Sequence, residues 1–271
     1  SIIFVHGLRG HPQRTWCNDA DETSSTRHLS LSNRGQGAPA ATTESRPRKP
    51  GFWPRDLLAA DLPDARIWTY GYDADAIDAR LGTNNKNNKH SLSKHGQDLV
   101  RMLRRDLVNE ERIIFVAHSL GGLVVKDALC RSDVLQRRTK GIVFLSTPHQ
   151  ARSAAEWTKV ASNIAAATPG SHTATPGTVV LDGLVVDDGH REFLEVASQR
   201  NISVHSFQES RGTVVDDFSS TLGLSGEGVE SFDADHLQIA RCTGRSDAGY
   251  TAILGVLERF ARQAVEGAVA H

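Results

Sequence analysis

Residues Arg112-Ile113-Ile114-Phe115-Val116-Ala117-His118-Ser119-Leu120-Gly121-Gly122 constrain this chain more than any other stretch. An apolar, β-branched strand runs straight into a small-x-Ser-x-Gly turn, and a helical pattern begins at once. That layout is a nucleophile elbow, which holds one serine hydroxyl at the tip of a sharp strand-to-helix turn. Gly121 relieves the crowding a Cβ would meet in so tight a bend. The start of the following helix offers unpaired N–H groups where an oxyanion would form. The usual first glycine of the motif is Ala117 here, which is small enough for strand to pack closely on helix.

An elbow of this kind needs a sheet around it, and the rest of the chain supplies the strands. Ile2-Ile3-Phe4-Val5 and Gly141-Ile142-Val143-Phe144-Leu145 are short apolar runs, as expected of strands buried on both faces. Residues 65–70 and 202–207 also read as strands. Helical spacing recurs at Leu92, Leu99, Leu103 and Leu107, and helices are expected over 55–60, 191–198 and 248–265, with another after the elbow through Cys130. Cys130 is expected to be a small buried residue of that helix. Strands alternating with helices predict an α/β domain with a mostly parallel sheet, whose ligand sites lie at the carboxyl ends of strands. A single domain over 1–271 is expected. Residues 19–50, rich in Ser, Thr, Gly, Pro and Arg, read as a flexible insertion, 84–89 as a polar loop and about 153–188 as a cap.

Composition removes several classes of function. The 31 basic and 32 acidic residues nearly cancel, so nothing favours nucleic acid or an anionic membrane surface. Cys17, Cys130 and Cys242 are scattered and odd in number, which points to a reducing, intracellular compartment. No run is long enough to span a bilayer, and neither a signal peptide, a phosphate-binding glycine loop nor a metal-ligand spacing is found. The chain opens on a core strand without an initiator Met and is expected to be a piece of something longer.

A serine hydroxyl needs a base, commonly a histidine oriented by a carboxylate, and hydrolases of the elbow type place them in the order Ser, acid, His. His236, in a polar loop before the final helix, is the expected base; His205 lies inside a strand. Glu209, two residues past the strand at 202–207, is the expected acid, with Asp216 and Asp217 as rivals. Asp235 is expected to stabilise its own loop. The backbone N–H groups of Leu8 and Leu120 are the expected oxyanion donors. His6, Gly7, His118, His149 and Tyr72 are candidates for the pocket. His6 and His149 read equally well as structural, His118 as a packing or gating residue. Trp16, Tyr70 and Trp157 stand as acyl-pocket or core residues.

Six motifs follow in order: Phe4-Val5-His6-Gly7-Leu8-Arg9-Gly10, Trp53-Pro54-Arg55-Asp56-Leu57-Leu58, the stretch 65–73, Ala117-His118-Ser119-Leu120-Gly121-Gly122-Leu123-Val124, Ser146-Thr147-Pro148-His149 and Asp233-Ala234-Asp235-His236. As a set they resemble the α/β-hydrolase serine-esterase domains at the N-terminus of fungal NLR-type (NACHT or NB-ARC) immune-receptor-like proteins. They also resemble the related serine-active-site lipase-like proteins that act on phospholipids. The resemblance implies an α/β-hydrolase fold, Ser119 as nucleophile and His236 as base. It favours Glu209, because Ser206-Phe207-Gln208-Glu209 is similar to a Ser-Phe-Tyr-Glu segment there. Gln208 replaces the aromatic, and Gln150-Ala151 replace a basic residue and glycine. The implied activity is hydrolysis of ester or lipid substrates, without a cofactor, by a cytoplasmic effector domain. Such a domain would join, and self-associate through, oligomerisation modules outside this sequence. A module that keeps the fold without catalysis, or an amidase or thioesterase with the same triad, are the alternatives.

Overall fold

The computed structural model of the chain describes residues 1–18, 51–75, 77–79, 91–107, 112–168 and 179–269. The insertion at 19–50 and the polar loop at 84–89 lie outside the described residues. In chain order the elements are β1 (Ile2–Val5), α1 (Ala59–Asp61), β2 (Ile67–Tyr70), β3 (Ile77–Ala79), α2 (Leu92–Asp106), β4 (Ile113–His118), α3 (Gly121–Cys130) and α4 (Asp133–Arg138). They continue with β5 (Thr139–Leu145), α5 (Ala154–Ala167), β6 (Val179–Leu181), α6 (Gly183–Gln199), β7 (Ser203–Glu209), β8 (Gly228–Phe232) and α7 (Ala248–Val269).

Six strands form one sheet in the order β2-β1-β4-β5-β7-β8, with every neighbouring pair parallel. The central strands are buried on both faces, which is why they read as unbroken apolar runs. Their side chains alternate between two cores. Ile3, Val5, Phe115, Ala117, Ile142 and Phe144 face the side covered by α2, α3 and α6. Ile2, Phe4, Ile114, Val116, Val143 and Leu145 face the other, which Trp16, Trp53 and the apolar stripe of α7 close. Burying each large side chain stabilises the fold by roughly 1.5–3 kcal/mol, so this double-sided packing fixes the register of the sheet and the level at which its carboxyl ends stop.

Several elements differ from the sequence-based expectation. Helix α6 starts at Gly183 instead of 191, because Asp182 caps it by accepting from the Leu184 N–H at 3.0 Å. Strand β7 runs on to Glu209, so the carboxylate belongs to the last strand residue and not to a loop beyond it. Strand β8 was not expected: its residues Gly228-Val229-Glu230-Ser231-Phe232 are an edge strand without an apolar pattern, and most of them are exposed. A separate parallel pair, β3 with β6, was not expected either. The stretch after Trp53 is a wide turn over Pro54–Leu58 that leads into α1. The final helix extends four residues past 265. Cys130, the last residue of α3, is half-buried, and burial pushes its thiol up to about 12.

The sharpest packing constraint is at Gly121. A Cβ there would sit 2.4 Å from the His6 carbonyl oxygen and 2.5 Å from that of Val5, both backbone atoms that cannot swing aside. Gly121→Ala is expected to cost about 1–3 kcal/mol through this overpacking, read as a lower urea midpoint; an unchanged midpoint would show that the two segments are not in contact.

Candidate active site

Three left-handed residues stand just beyond adjacent strands. Ser119 follows β4 with φ +54°, Ser146 follows β5 with φ +45°, and Arg9 lies in the loop after β1 with φ +50°. None is glycine, and such strain gathers where surrounding structure holds it in place for function. At Ser119 the chain is held on both sides: its N–H donates to the Leu145 carbonyl at 2.9 Å, and its carbonyl accepts from Gly122 N–H at 3.0 Å. The left-handed turn lifts the side chain off the end of the sheet before α3 begins.

His236 Nε2 lies 2.9 Å from Ser119 Oγ, and His236 Nδ1 lies 3.0 Å from Glu209 Oε2. A carboxylate can only accept, so Nδ1 carries the proton and Nε2 is left to accept from the serine hydroxyl. Glu209 is itself held. Its Oε1 accepts from the Val214 N–H and, at 2.7 Å, from the Val215 N–H, while the Ser146 hydroxyl reaches Oε2 at 3.4 Å. All three side chains are buried, and Ser119 has no exposed surface.

Asp216 and Asp217 do not meet His236. Asp216 accepts from the Ser219 N–H at 2.7 Å, and the Asp217 carbonyl accepts from Gln208 Nε2 at 2.9 Å, so both brace the loop that follows β7. Asp235 accepts from the N–H groups of Leu237 and Gln238, next to His236 but turned to its own loop. His205 sits in β7 beside Glu230 and Arg259, away from the serine.

The loop after β1 approaches the elbow backbone to backbone. A Cβ on Gly7 would come within 2.8 Å of Ser119 Cβ and 2.9 Å of the His118 carbonyl. The N–H groups of Leu8 and Leu120 donate to nothing among the described residues. Leu8 follows the glycine that touches Ser119, and Leu120 follows Ser119 itself; buried backbone groups are otherwise paired.

The remaining candidates pack around this arrangement. The His6 ring stacks on Tyr72 at 4.5 Å, and the Tyr72 hydroxyl donates to the His6 carbonyl at 2.7 Å, tying the β1 loop to the chain after β2. His118 Nε2 donates to the His236 carbonyl at 2.7 Å, so the residue before the serine holds the loop that carries His236. His149 turns its ring into the core between Phe144 and His190. Trp16 and Trp157 are fully buried, Trp16 against Phe4 and Trp53, and Trp157 with its indole N–H on Asp187. Tyr70 is buried beside Tyr72. Ser146, directly after β5, and Arg9, in the loop after β1, carry no local sequence pattern beyond following strands that end at the site.

A family model described as a PGAP1-like alpha/beta domain matches residues 67–176. Protein SERAC1 of Danio rerio is 32% identical over 256 residues, covering 89% of this chain and 36% of that protein. Protein SERAC1 of Homo sapiens is 27% identical over 242 residues, covering 86% and 33%. The chain therefore spans about a third of the length of these curated relatives. Among solved structures, the mature lipase BlEst2 of Bacillus licheniformis superposes with a TM-score of 0.55 at 13% identity, covering 94% of this chain and 91% of that one. A carboxylesterase structure from Nitrososphaera gargenis gives 0.53 at 10% identity, covering 97% and 91%. The fold is that of the α/β-hydrolases. Among the described residues, no helix is long and apolar enough to cross a membrane, and no group of His, Cys, Asp or Glu could hold a metal ion.

Burial lowers the His6 ring to about 4 and the His118 ring to about 3. Unfolded, each would take up a proton near 6.5. Their contribution to stability is therefore complete above pH 6.5 and is lost as pH falls from there toward 4 and 3. Each ring contributes on the order of 1 kcal/mol per pH unit in that window. Urea midpoints are expected to fall steadily between about pH 7 and pH 5, and a flat profile would mean that these rings are not held neutral.

Proposed function

We propose that this chain is a serine hydrolase that cleaves carboxylic esters, in particular lipid or acyl esters. The observation that carries the reading is the run Ser119 Oγ to His236 Nε2 at 2.9 Å and His236 Nδ1 to Glu209 at 3.0 Å, beside the two uncommitted N–H groups. Ser119 Oγ attacks the ester carbonyl while His236 Nε2 takes its proton. Glu209 holds the imidazole in the accepting tautomer and stabilises the imidazolium that forms. The negative oxygen of the tetrahedral intermediate accepts from Leu8 and Leu120; donors of this kind are worth about 10²–10³ in rate each. The C–O bond then breaks, His236 gives its proton to the leaving alcohol, and the acyl group remains on Ser119. Water, deprotonated by the same imidazole, releases the acid and regenerates the hydroxyl.

The ester class follows the resemblance set out above. The lipase and carboxylesterase neighbours support the fold alone. We also infer a single domain over 1–271, with α5 and the chain up to about 188 as its cap, acting in a reducing, cytoplasmic setting. An effector role in an NLR-type receptor, with self-association through such a receptor's other modules, rests on the resemblance alone; the relatives reported above are SERAC1 proteins. The absence of any exposed surface on Ser119 favours one second reading, a non-catalytic assembly module. An amidase or thioesterase would use the same groups.

A fluorophosphonate probe is expected to label the wild type and not Ser119→Ala. On p-nitrophenyl butyrate, Glu209→Gln is expected to lower kcat by about 10²–10⁴, whereas Asp216→Asn leaves kcat within about threefold. Equal labelling of both proteins, or the larger loss at Asp216, would overturn the assignment. No hydrolysis of any short ester, together with concentration-dependent self-association, would favour the assembly module.

A further inference from the structure

Helix α5 touches both halves of the site. At its C-terminal end, the Arg9 guanidinium donates through Nη1 to the carbonyl of Ala165 at 3.2 Å and to that of Thr168 at 2.7 Å. The Ala165 carbonyl is among the last of the helix, which have no partner within it and form the negative end of its dipole, so a cation is favoured there. Thr168 closes that end. It is buried, and both its N–H and its hydroxyl donate to the Ile164 carbonyl.

Arg9 is the residue directly after Leu8. Its backbone is left-handed, and its own N–H donates to the Ala74 carbonyl at 2.6 Å. With both backbone and side chain fixed, Arg9 pins the chain one residue past Leu8. The other contact lies half a turn before Ala165. Asn163 Nδ2 donates to the Val214 carbonyl at 3.3 Å, and the N–H of the same Val214 donates to Glu209 Oε1. One helix thus reaches the donor loop on one side and the acid's loop on the other. Its first half is anchored separately, by buried Trp157 and its N–H on Asp187.

We propose that α5 is a strap that holds the oxyanion loop and the acid loop in register, with Arg9 and Asn163 as positioning residues that act through Leu8 and Glu209. The proposal rests on the serine-hydrolase reading for its catalytic consequence, and for its mechanics on the bonds from Arg9 to Ala165 and Thr168, from Asn163 to Val214 and from Val214 to Glu209. Neither side chain touches the reacting atoms. A substrate that unseats α5 disturbs the oxyanion donors and the acid together.

The test compares wild type, Arg9→Ala, Arg9→Lys and Asn163→Ala as purified chains. Arg9→Ala is expected to lose about 10- to 100-fold in kcat on p-nitrophenyl butyrate, because misplacing a donor loop by an ångström costs about that much. KM should stay within about threefold, since ground-state binding is untouched. Added guanidinium, below denaturing concentration, should restore part of kcat to Arg9→Ala and none to wild type. Arg9→Lys, which can reach one carbonyl, should lie between the two. Hydrogen–deuterium exchange supplies a readout that needs no activity: Arg9→Ala should speed exchange in residues 6–10 and 161–168 together, and Asn163→Ala in 212–216. Wild-type kcat in Arg9→Ala, or exchange unchanged in those segments, would overturn the strap. A loss of kcat that merely follows a loss of folded protein, without guanidinium rescue, would also overturn it. A wild type that fails to label with fluorophosphonate while the exchange changes appear would sink the hydrolase reading and leave the strap standing.

Discussion

The backbone of Ser119 is left-handed, at a cost of roughly 1–2 kcal/mol for a residue with a Cβ, and everything at the carboxyl end of the sheet is arranged around that turn. The cost is offset where the chain is pinned on each side, by the bond from Ser119 N–H to the Leu145 carbonyl and by the bond from Gly122 N–H back to Ser119. Two glycines make the turn sterically possible, because a Cβ on Gly121 would strike the backbone of β1 and one on Gly7 would strike Ser119 itself. That close approach sets Gly7, the residue before Leu8, against the serine, and the N–H groups of Leu8 and Leu120 have no partner among the described residues.

The arms of the site come from distant parts of the chain, and each is tied to a neighbour by a polar contact made in a dry environment. His118 holds the backbone of His236, Tyr72 holds His6, and the backbone at 214–215 holds Glu209. Burial keeps the His118 and His6 rings neutral, so His118 holds the His236 backbone without adding a charge there. Helix α5 joins the ends of this set through Arg9, in the loop after β1, and Asn163, which reaches the Val214 carbonyl beside Glu209.

Much of this was legible in the sequence, for identifiable reasons. Strands β1, β4 and β5 are buried on both faces, so their apolar runs are unambiguous, and the elbow announces itself by its glycines. Glu209 and His236 could be ranked because each follows a strand or precedes the last helix. Strand β8 was not legible: an edge strand with one exposed side carries no apolar alternation, so nothing in the sequence marks residues 228–232 as a strand. The start of α6 was obscured by Gly189 and by the acidic pair Asp187-Asp188. The bracing roles of His118 and Tyr72 depend on contacts across more than sixty residues of chain, which no local pattern encodes.

The central claim is that Ser119 carries the acyl group. The most direct measurement is to quench the protein in acid during turnover of a slowly hydrolysed ester, weigh the intact protein and map the modified peptide. One added acyl mass is expected, on the peptide that contains Ser119, appearing before product release and disappearing as substrate is exhausted. Turnover without any adduct, or an adduct on a different side chain, would contradict it.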